Sequence, residues 1–217
     1  MKNEERAEII VRILKKRYKI DSSYFTAPPS ESPFENLVGT IISQRTKDET
    51  TDKVATALLA RANTPQKMVK LGRAKIAKII RSANYYKGKS KRISEISRIL
   101  LKKYKGRVPR TRDELMELPG VGGKTADILL LYSYGEDVIP VDTHVEVVSK
   151  RLGWTNGKTP EKIRDDLYAL FPPKTRKYVN VLLVEFGKEI CRAPVPRCYM
   201  CPIVKLCPYP NKNLEKK

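Results

Sequence analysis

The chain has 217 residues, 41% of them hydrophobic and spread along its length, so a real core can be buried in one large domain or in two small ones. Its 44 Lys and Arg against 24 Asp and Glu leave a net charge of +20, an excess that points to a polyanion, most often nucleic acid. The plainer reading is the Lys-rich surface of a heat-adapted protein, since Gln occurs only at positions 44 and 66. No apolar stretch has the length of a membrane span, and the N-terminus MKNEERAEII is charged with no apolar signal region, which predicts a cytoplasmic protein with no membrane partner.

Residues 4–18 alternate charge with Ile9, Ile10, Ile13 and Leu14 at helical spacing. The proline-bearing run DSSYFTAPPSESPFE then reads as a linker, and within it Ser32-Pro33-Phe34-Glu35 is a helix start with the composition of a capping box. The helix it opens carries Leu37, Val38, Ile41 and Ile42 on one face. Further starts stand at Thr64-Pro65, Thr111-Arg112-Asp113-Glu114 and Thr159-Pro160-Glu161. Ile93, Ile96, Leu100 and Tyr104 mark another helix, ended by Gly106 and Pro109. No period-two run of β-branched residues is bounded by hairpin turns, so the expected class is all-α, and the final NKNLEKK reads as a basic tail.

LPGVGGKTA, residues 118–126, fits a helix-hairpin-helix turn. Glycines let the backbone come close to a ligand, and the N–H groups of Gly120, Val121 and Gly122, with the following helix N-terminus, form a site for a DNA phosphate that reads no sequence. A plain helix–helix connection is the alternative. Lys124 follows directly, and a cation there faces the positive end of the helix dipole. Either the position is unimportant, or an amine of lowered proton affinity is wanted. Downstream, VDTHVEVV gives Thr143 and Glu146 the spacing of a capping box, which puts Asp142 at or beside a helix N-terminus. A carboxylate kept ionised there, with such an amine, makes a nucleophile and its electrostatic partner. His144, the only histidine, reads as a locally packed first-turn residue.

All four cysteines lie near the C-terminus, Cys191, Cys198, Cys201 and Cys207, in a C-x6-C-x2-C-x5-C spacing. Four thiolates in one short loop suit an iron–sulfur cluster or a tetrahedral zinc, and the spacing alone leaves the two open. Two disulfides are the third choice, disfavoured inside a cell. Arg192 and Arg197 flank the stiff APVP segment, where their guanidinium groups can meet phosphate.

Taken together, the glycine turn, Lys124, Asp142 eighteen residues later and the cysteine loop resemble the endonuclease III family of DNA glycosylases, along nearly the whole chain from SPFENLVGTIISQRTKDETT to CRAPVPRCYMCPIVKLC. The resemblance implies a six-helix barrel domain over 26–136, with the helix-hairpin-helix at about 112–131, and a cluster domain built from 1–25 and 137–217. It implies a four-iron, four-sulfur (4Fe-4S) cluster on the four cysteines, and a monomer acting in the prokaryotic cytoplasm, at the nucleoid, on double-stranded DNA with a damaged base or abasic site. Lys124 takes the place of the family's catalytic lysine and Asp142 that of its aspartate, which implies removal of oxidised pyrimidines and β-elimination at abasic sites through a Schiff base. Two positions depart from the bacterial pattern: Arg45 stands where a glutamine is usual, with Gln44 one earlier, and Tyr85 aligns with an intercalating aliphatic residue. Lys87, Lys89 and Lys91 behind Tyr85 either contact phosphate or form a solvated helix start. An adenine-removing relative would carry glutamate where Thr40 stands, and a thymine-mismatch relative would carry tyrosine in place of Lys124. From another class, a non-catalytic DNA-binding module with structural zinc is the competitor. SQRTKDETT and the lysine content lean toward an archaeal type.

Overall fold

The computed structural model describes residues 2–21 and 32–215. Most of the segment read as a linker, 22–31, and the last two residues of the basic tail lie outside the described residues. Among the described residues there are eleven α-helices, one 3-10 turn at Cys198–Met200 and no strand. No helix among them is long and apolar enough to cross a membrane.

The chain divides into two compact units, Pro28–Tyr134 and Met1–Ala27 with Gly135–Lys217. The first contains α2 (Pro33–Ser43), α3 (Asp48–Leu59), α4 (Pro65–Leu71), α5 (Arg73–Ile79), α6 (Tyr86–Tyr104), α7 (Arg112–Met116) and α8 (Gly123–Tyr134). Its starts are chemical. Ser32 Oγ accepts from the Glu35 N–H at 3.3 Å while the Ser32 N–H donates to Glu35 Oε2 at 2.6 Å, so two N–H groups that the helix cannot satisfy find partners. Thr64 and Thr111 cap α4 and α7 through their hydroxyls alone, accepting from the Lys67 and Glu114 N–H groups. The apolar faces so aligned bury Leu37, Ile41, Ile42, Leu58, Met68, Ile93, Ile96 and Leu100 almost completely. Removing such side chains from water supplies the main driving force for the unit.

The second unit packs α1 (Asn3–Tyr18), α9 (Thr143–Arg151), α10 (Pro160–Leu170) and α11 (Pro173–Glu189) around one core. The buried stripe of α1 is Ala7, Ile10, Val11 and Leu14, with Ile9 and Ile13 only half-buried, so the face is turned slightly from the one the isoleucines suggest. Trp154 meets Phe171 edge to face, with ring centroids 5.0 Å apart. Ile203, from the cysteine loop, enters this same core and anchors a segment that has little helix of its own.

His144 stands in the first turn of α9, against Gly187 of α11. A Cβ added at Gly187 would lie 2.8 Å from His144 Nδ1 and 3.1 Å from the histidine's own Cβ. Rotating the ring relieves only the first of these. In an open helix, replacing glycine by alanine stabilises by about 1 kcal/mol. At this position the sign should reverse: Gly187→Ala should lower the unfolding free energy by about 1–3 kcal/mol, as overpacking does. Urea unfolding of the two proteins tests this, and a more stable variant would show that α9 has room to move.

Candidate functional site

The turn between α7 and α8 is fixed from within. Leu118 N–H donates to Leu115 O at 3.1 Å and Val121 N–H to Leu118 O at 3.0 Å, while both side chains are buried as anchors. Val121 therefore offers an incoming phosphate neither its side chain nor its N–H, which corrects the expectation that its N–H belongs to the phosphate site. Gly120 has φ +81°, and a Cβ there would also lie 2.7 Å from Arg92 Cδ, so two separate constraints demand glycine. Across the turn, Arg112 Nε donates to the buried Asp127 Oδ1 at 3.0 Å and locks α7 to α8. Ala126 N–H donates to Gly122 O at 2.9 Å, so the helical ladder begins there. The N–H groups of Gly123, Lys124 and Thr125 then have no acceptor within their helix, and the space around Gly122 is open.

Lys124 lies on this helix start, exposed, with no hydrogen bond or ion pair among the described residues.

Gln44, Arg45, Tyr85 and Lys87, named separately from the sequence, line one pocket of about 710 Å³ together with Lys89 and Arg92. Gln44 ends α2, and its Nε2 donates to Gly120 O at 2.9 Å while its Oε1 accepts from Arg92 Nη1 at 3.2 Å. The helix end and the glycine turn are therefore joined. Arg45 (φ +55°) and Tyr85 (φ +58°) both hold the left-handed conformation that costs a residue with a side chain about 1–2 kcal/mol. Asn84 Nδ2 donates to Arg45 O at 2.7 Å and ties the two strained positions together. Tyr85 is 68% exposed, which is unusual for an aromatic ring that nothing covers. Lys89 corrects the sequence expectation: it is neither a phosphate contact nor a solvated residue. It is 2% exposed, and its Nζ donates to Ile42 O at 2.5 Å and Thr46 Oγ1 at 2.6 Å. Burial, and then the Arg92 charge, push its amine down to about 8. Lys91 instead pairs with Glu95 one turn on, at the surface.

In the other unit, Asp142 is itself the N-cap of α9. Its Oδ1 accepts from the Val145 N–H at 2.8 Å, so Thr143 is the first helical residue rather than the cap. The second carboxylate oxygen is left for another partner, and the residue is half-buried.

The four cysteine thiols line one small pocket with Arg151, Phe186, Ile190 and Ile203. Arg151 holds the loop: its Nη1 donates to Cys191 O and Arg192 O, each at 2.9 Å, and to Cys191 Sγ at 3.5 Å, while its Nη2 donates to Pro194 O at 3.0 Å. Arg6 Nη1 donates to Leu206 O at 3.2 Å on the other side. Burial pushes the Cys191 thiol up, against the pull of Arg151, and pushes Cys201 up to about 11; in both, the other cysteines of the pocket add to the rise. Among the described residues no three or more His, Cys, Asp or Glu side chains are grouped to hold a metal ion. Arg192 is exposed, and the half-buried Arg197 helps Arg17 and Tyr18 hold the Glu189 carboxyl down. Arg151, Arg6, Asn84 and Arg92 carry no sequence signal, because each acts on a carbonyl or amide far along the chain.

Residues 38–173 match the HhH-GPD superfamily of base excision DNA repair proteins. Endonuclease III of Thermotoga maritima is 41% identical over 177 residues, covering 82% of this chain and 83% of that protein. Among solved structures, a trapped endonuclease III–DNA covalent intermediate aligns with a TM-score of 0.84 at 31% identity, over 96% of this chain and 97% of the other. A non-covalent endonuclease III–DNA complex aligns with a TM-score of 0.86 at the same 31%, with the same coverage. The Thermotoga relative is bacterial, so the archaeal leaning gains no support from it.

The buried amine gives the pocket a measurable signature. The folded protein holds the Lys89 proton less tightly than an ordinary lysine, whose value is 10.5 against about 8 here. Between those two values the unfolded chain binds more protons, so the stability contributed by Lys89 rises with pH across that window. Unfolding free energies followed from pH 7.5 to 10.5 should therefore climb more steeply in the wild type than in Lys89→Met. Parallel curves would mean that the amine titrates as it does in water.

Proposed function

This chain belongs to the endonuclease III family, within the HhH-GPD superfamily of base excision DNA repair proteins, and from that premise we propose the residues that carry its chemistry. It is a base excision repair DNA glycosylase and AP lyase acting on damaged duplex DNA. Oxidised pyrimidines are the proposed substrates, together with abasic sites. The observation that carries the reading is Lys124: an exposed amine in the first turn of α8, beside three N–H groups free to meet a phosphate.

In the proposed reaction the Lys124 Nζ lone pair attacks C1′ of the deoxyribose. The glycosidic bond breaks, and the base leaves with the bonding electrons and takes up a proton. The nitrogen then gives up one proton, the C1′–O4′ bond breaks with O4′ taking up a proton, and the nitrogen lone pair closes a protonated Schiff base between Nζ and C1′. Removal of a C2′ proton then expels the 3′ phosphate, breaking the strand, and water releases the enzyme. Asp142 stabilises the positive charge that grows on the sugar as the base departs, through the carboxylate oxygen that its cap does not use. Gln44, Arg45 and Tyr85 fill the space a flipped nucleotide leaves, with Lys87, Arg192 and Arg197 on backbone phosphate.

Cys191, Cys198, Cys201 and Cys207 are proposed to hold a 4Fe-4S cluster. One zinc would need all four sulfurs at about 2.3 Å from a single centre. All four thiols line one pocket, so all four would be available to hold such a cluster there. When bound, the cluster supplies a cross-link that holds the loop carrying Arg192 and Arg197.

Trapping, binding, base-removal and absorption measurements test these assignments. Borohydride should reduce the Schiff base to a stable protein–DNA adduct in the wild type. Lys124→Gln should abolish that adduct and strand cleavage while abasic-site binding stays within a few-fold, because the backbone N–H groups remain. Asp142→Asn keeps a capping side chain and should slow base removal by about a hundredfold or more. An adduct that persists in Lys124→Gln would assign the nucleophile to another amine. For the cluster, the purified protein should be yellow-brown with a broad visible absorption band, which Cys201→Ser should bleach. Colourless protein with stoichiometric zinc would reverse that assignment.

A further inference from the structure

Lys89 is a buried cation, at 2% exposure, with no carboxylate paired to it among the described residues. Burying an ammonium is expensive, and a hydrophobic residue of similar length would serve a helix interior at least as well. What the ammonium does reach is specific. Ile42 O is one of the last carbonyls of α2, which have no acceptor role inside the helix and sit at the negative end of its dipole. α2 has no basic residue of its own in its last turn, so Lys89 of α6 supplies that charge from outside.

The second acceptor, Thr46 Oγ1, lies immediately beyond Arg45. The strained backbone of Arg45 is therefore pinned on both sides, at Ile42 and Thr46 by Lys89, and its own carbonyl by Asn84. Such conformations persist only where the surroundings fix them. One residue back, Gln44 carries the same constraint to the glycine turn through Gly120 O.

We infer that Lys89 is a positioning residue for DNA: its buried ammonium holds the end of α2 in the form in which Gln44 and Arg45 enter the gap beside an extruded nucleotide. This rests on the reading of Gln44 and Arg45 as gap-filling residues. It touches neither DNA nor the reacting atoms, and it acts through the turn at 42–46.

A double-mutant cycle separates this role from a merely structural one. Binding to a duplex with a stable tetrahydrofuran abasic analogue would be measured for the wild type, Lys89→Met, Gln44→Ala/Arg45→Ala and the triple variant. Lys89→Met should weaken binding about tenfold, within the coupling range of residues that share contacts. In the Gln44→Ala/Arg45→Ala background the same change should cost less than about twofold, because the residues it positions are gone. The thermal midpoint of Lys89→Met at neutral pH should equal or exceed the wild type's, since the cost of burying a cation is removed. Wild-type binding by Lys89→Met, an equal loss in both backgrounds, or a lowered midpoint would each overturn the inference. Borohydride trapping by the wild type is independent of these affinities, so failure of the catalytic assignment is read separately.

Discussion

The hydrogen bond from Gln44 Nε2 to Gly120 O couples the end of α2 to the glycine turn, two segments far apart in sequence. Its geometry dictates what surrounds it. Gly120 must turn with φ +81°, the space a side chain would take is filled by Arg92, and Arg92 in turn holds the other end of the Gln44 amide. With both ends of the amide engaged, the side chain has one orientation rather than two. Lys89 and Arg92 leave α6 three residues apart, on one face, so a single helix supports both connections. The helix end, the strained pair Arg45 and Tyr85, and the turn that starts α8 form one hydrogen-bonded assembly within their unit.

The other unit solves a similar problem with arginine. A loop with little regular structure leaves carbonyl groups that no helix satisfies, and unpaired buried carbonyls are costly. Arg151 takes Cys191 O, Arg192 O and Pro194 O, Arg6 takes Leu206 O and Leu152 O, and Arg176 takes Phe171 O and Tyr168 O. The planar guanidinium suits this work, because its donors are fixed in a fork and it stays charged. Part of the net charge of +20 is therefore spent on the chain's own backbone. A positive balance read from composition counts these cations with the ones that face a polyanion, and only the fold separates them.

What the sequence made legible follows the same division between local and distant chemistry. Ser32, Thr64, Thr111 and Thr159 announce their helices because the cap is a contact across three residues. Helices α3 and α5 follow Lys47 and Gly72 with no side-chain cap, and α11 follows Pro172 with only the proline at its first turn as a signal. At α9 both Asp142 and Thr143 have capping chemistry. The aspartate takes the cap, one residue before the spacing with Glu146 suggested, and this leaves its charge at the helix end. Gln44, Arg45, Tyr85 and Lys87 could be named from the chain, and they share one pocket. The role of Lys89 could not be read, because a lysine in a basic run looks solvated until α2 is packed over it.

The two lysines differ in exposure, and the difference has a physical logic. Lys124 is exposed at a helix start; Lys89, read from the sequence as a phosphate contact or a solvated charge, is buried. A permanently buried amine needs fixed acceptors, as Ile42 O and Thr46 Oγ1 provide, and those acceptors hold it still and out of a substrate's reach. A nucleophile needs the opposite: no standing partner and an open approach. Lys124 has both, and the exclusion of water that strengthens its interactions with a bound nucleotide can come with the DNA itself rather than from the free fold. The N–H groups beside it favour the arrival of a phosphate without engaging the amine. On the proposed assignments, burial at Lys89 fixes where the duplex is met, and exposure at Lys124 leaves the reacting group free to respond.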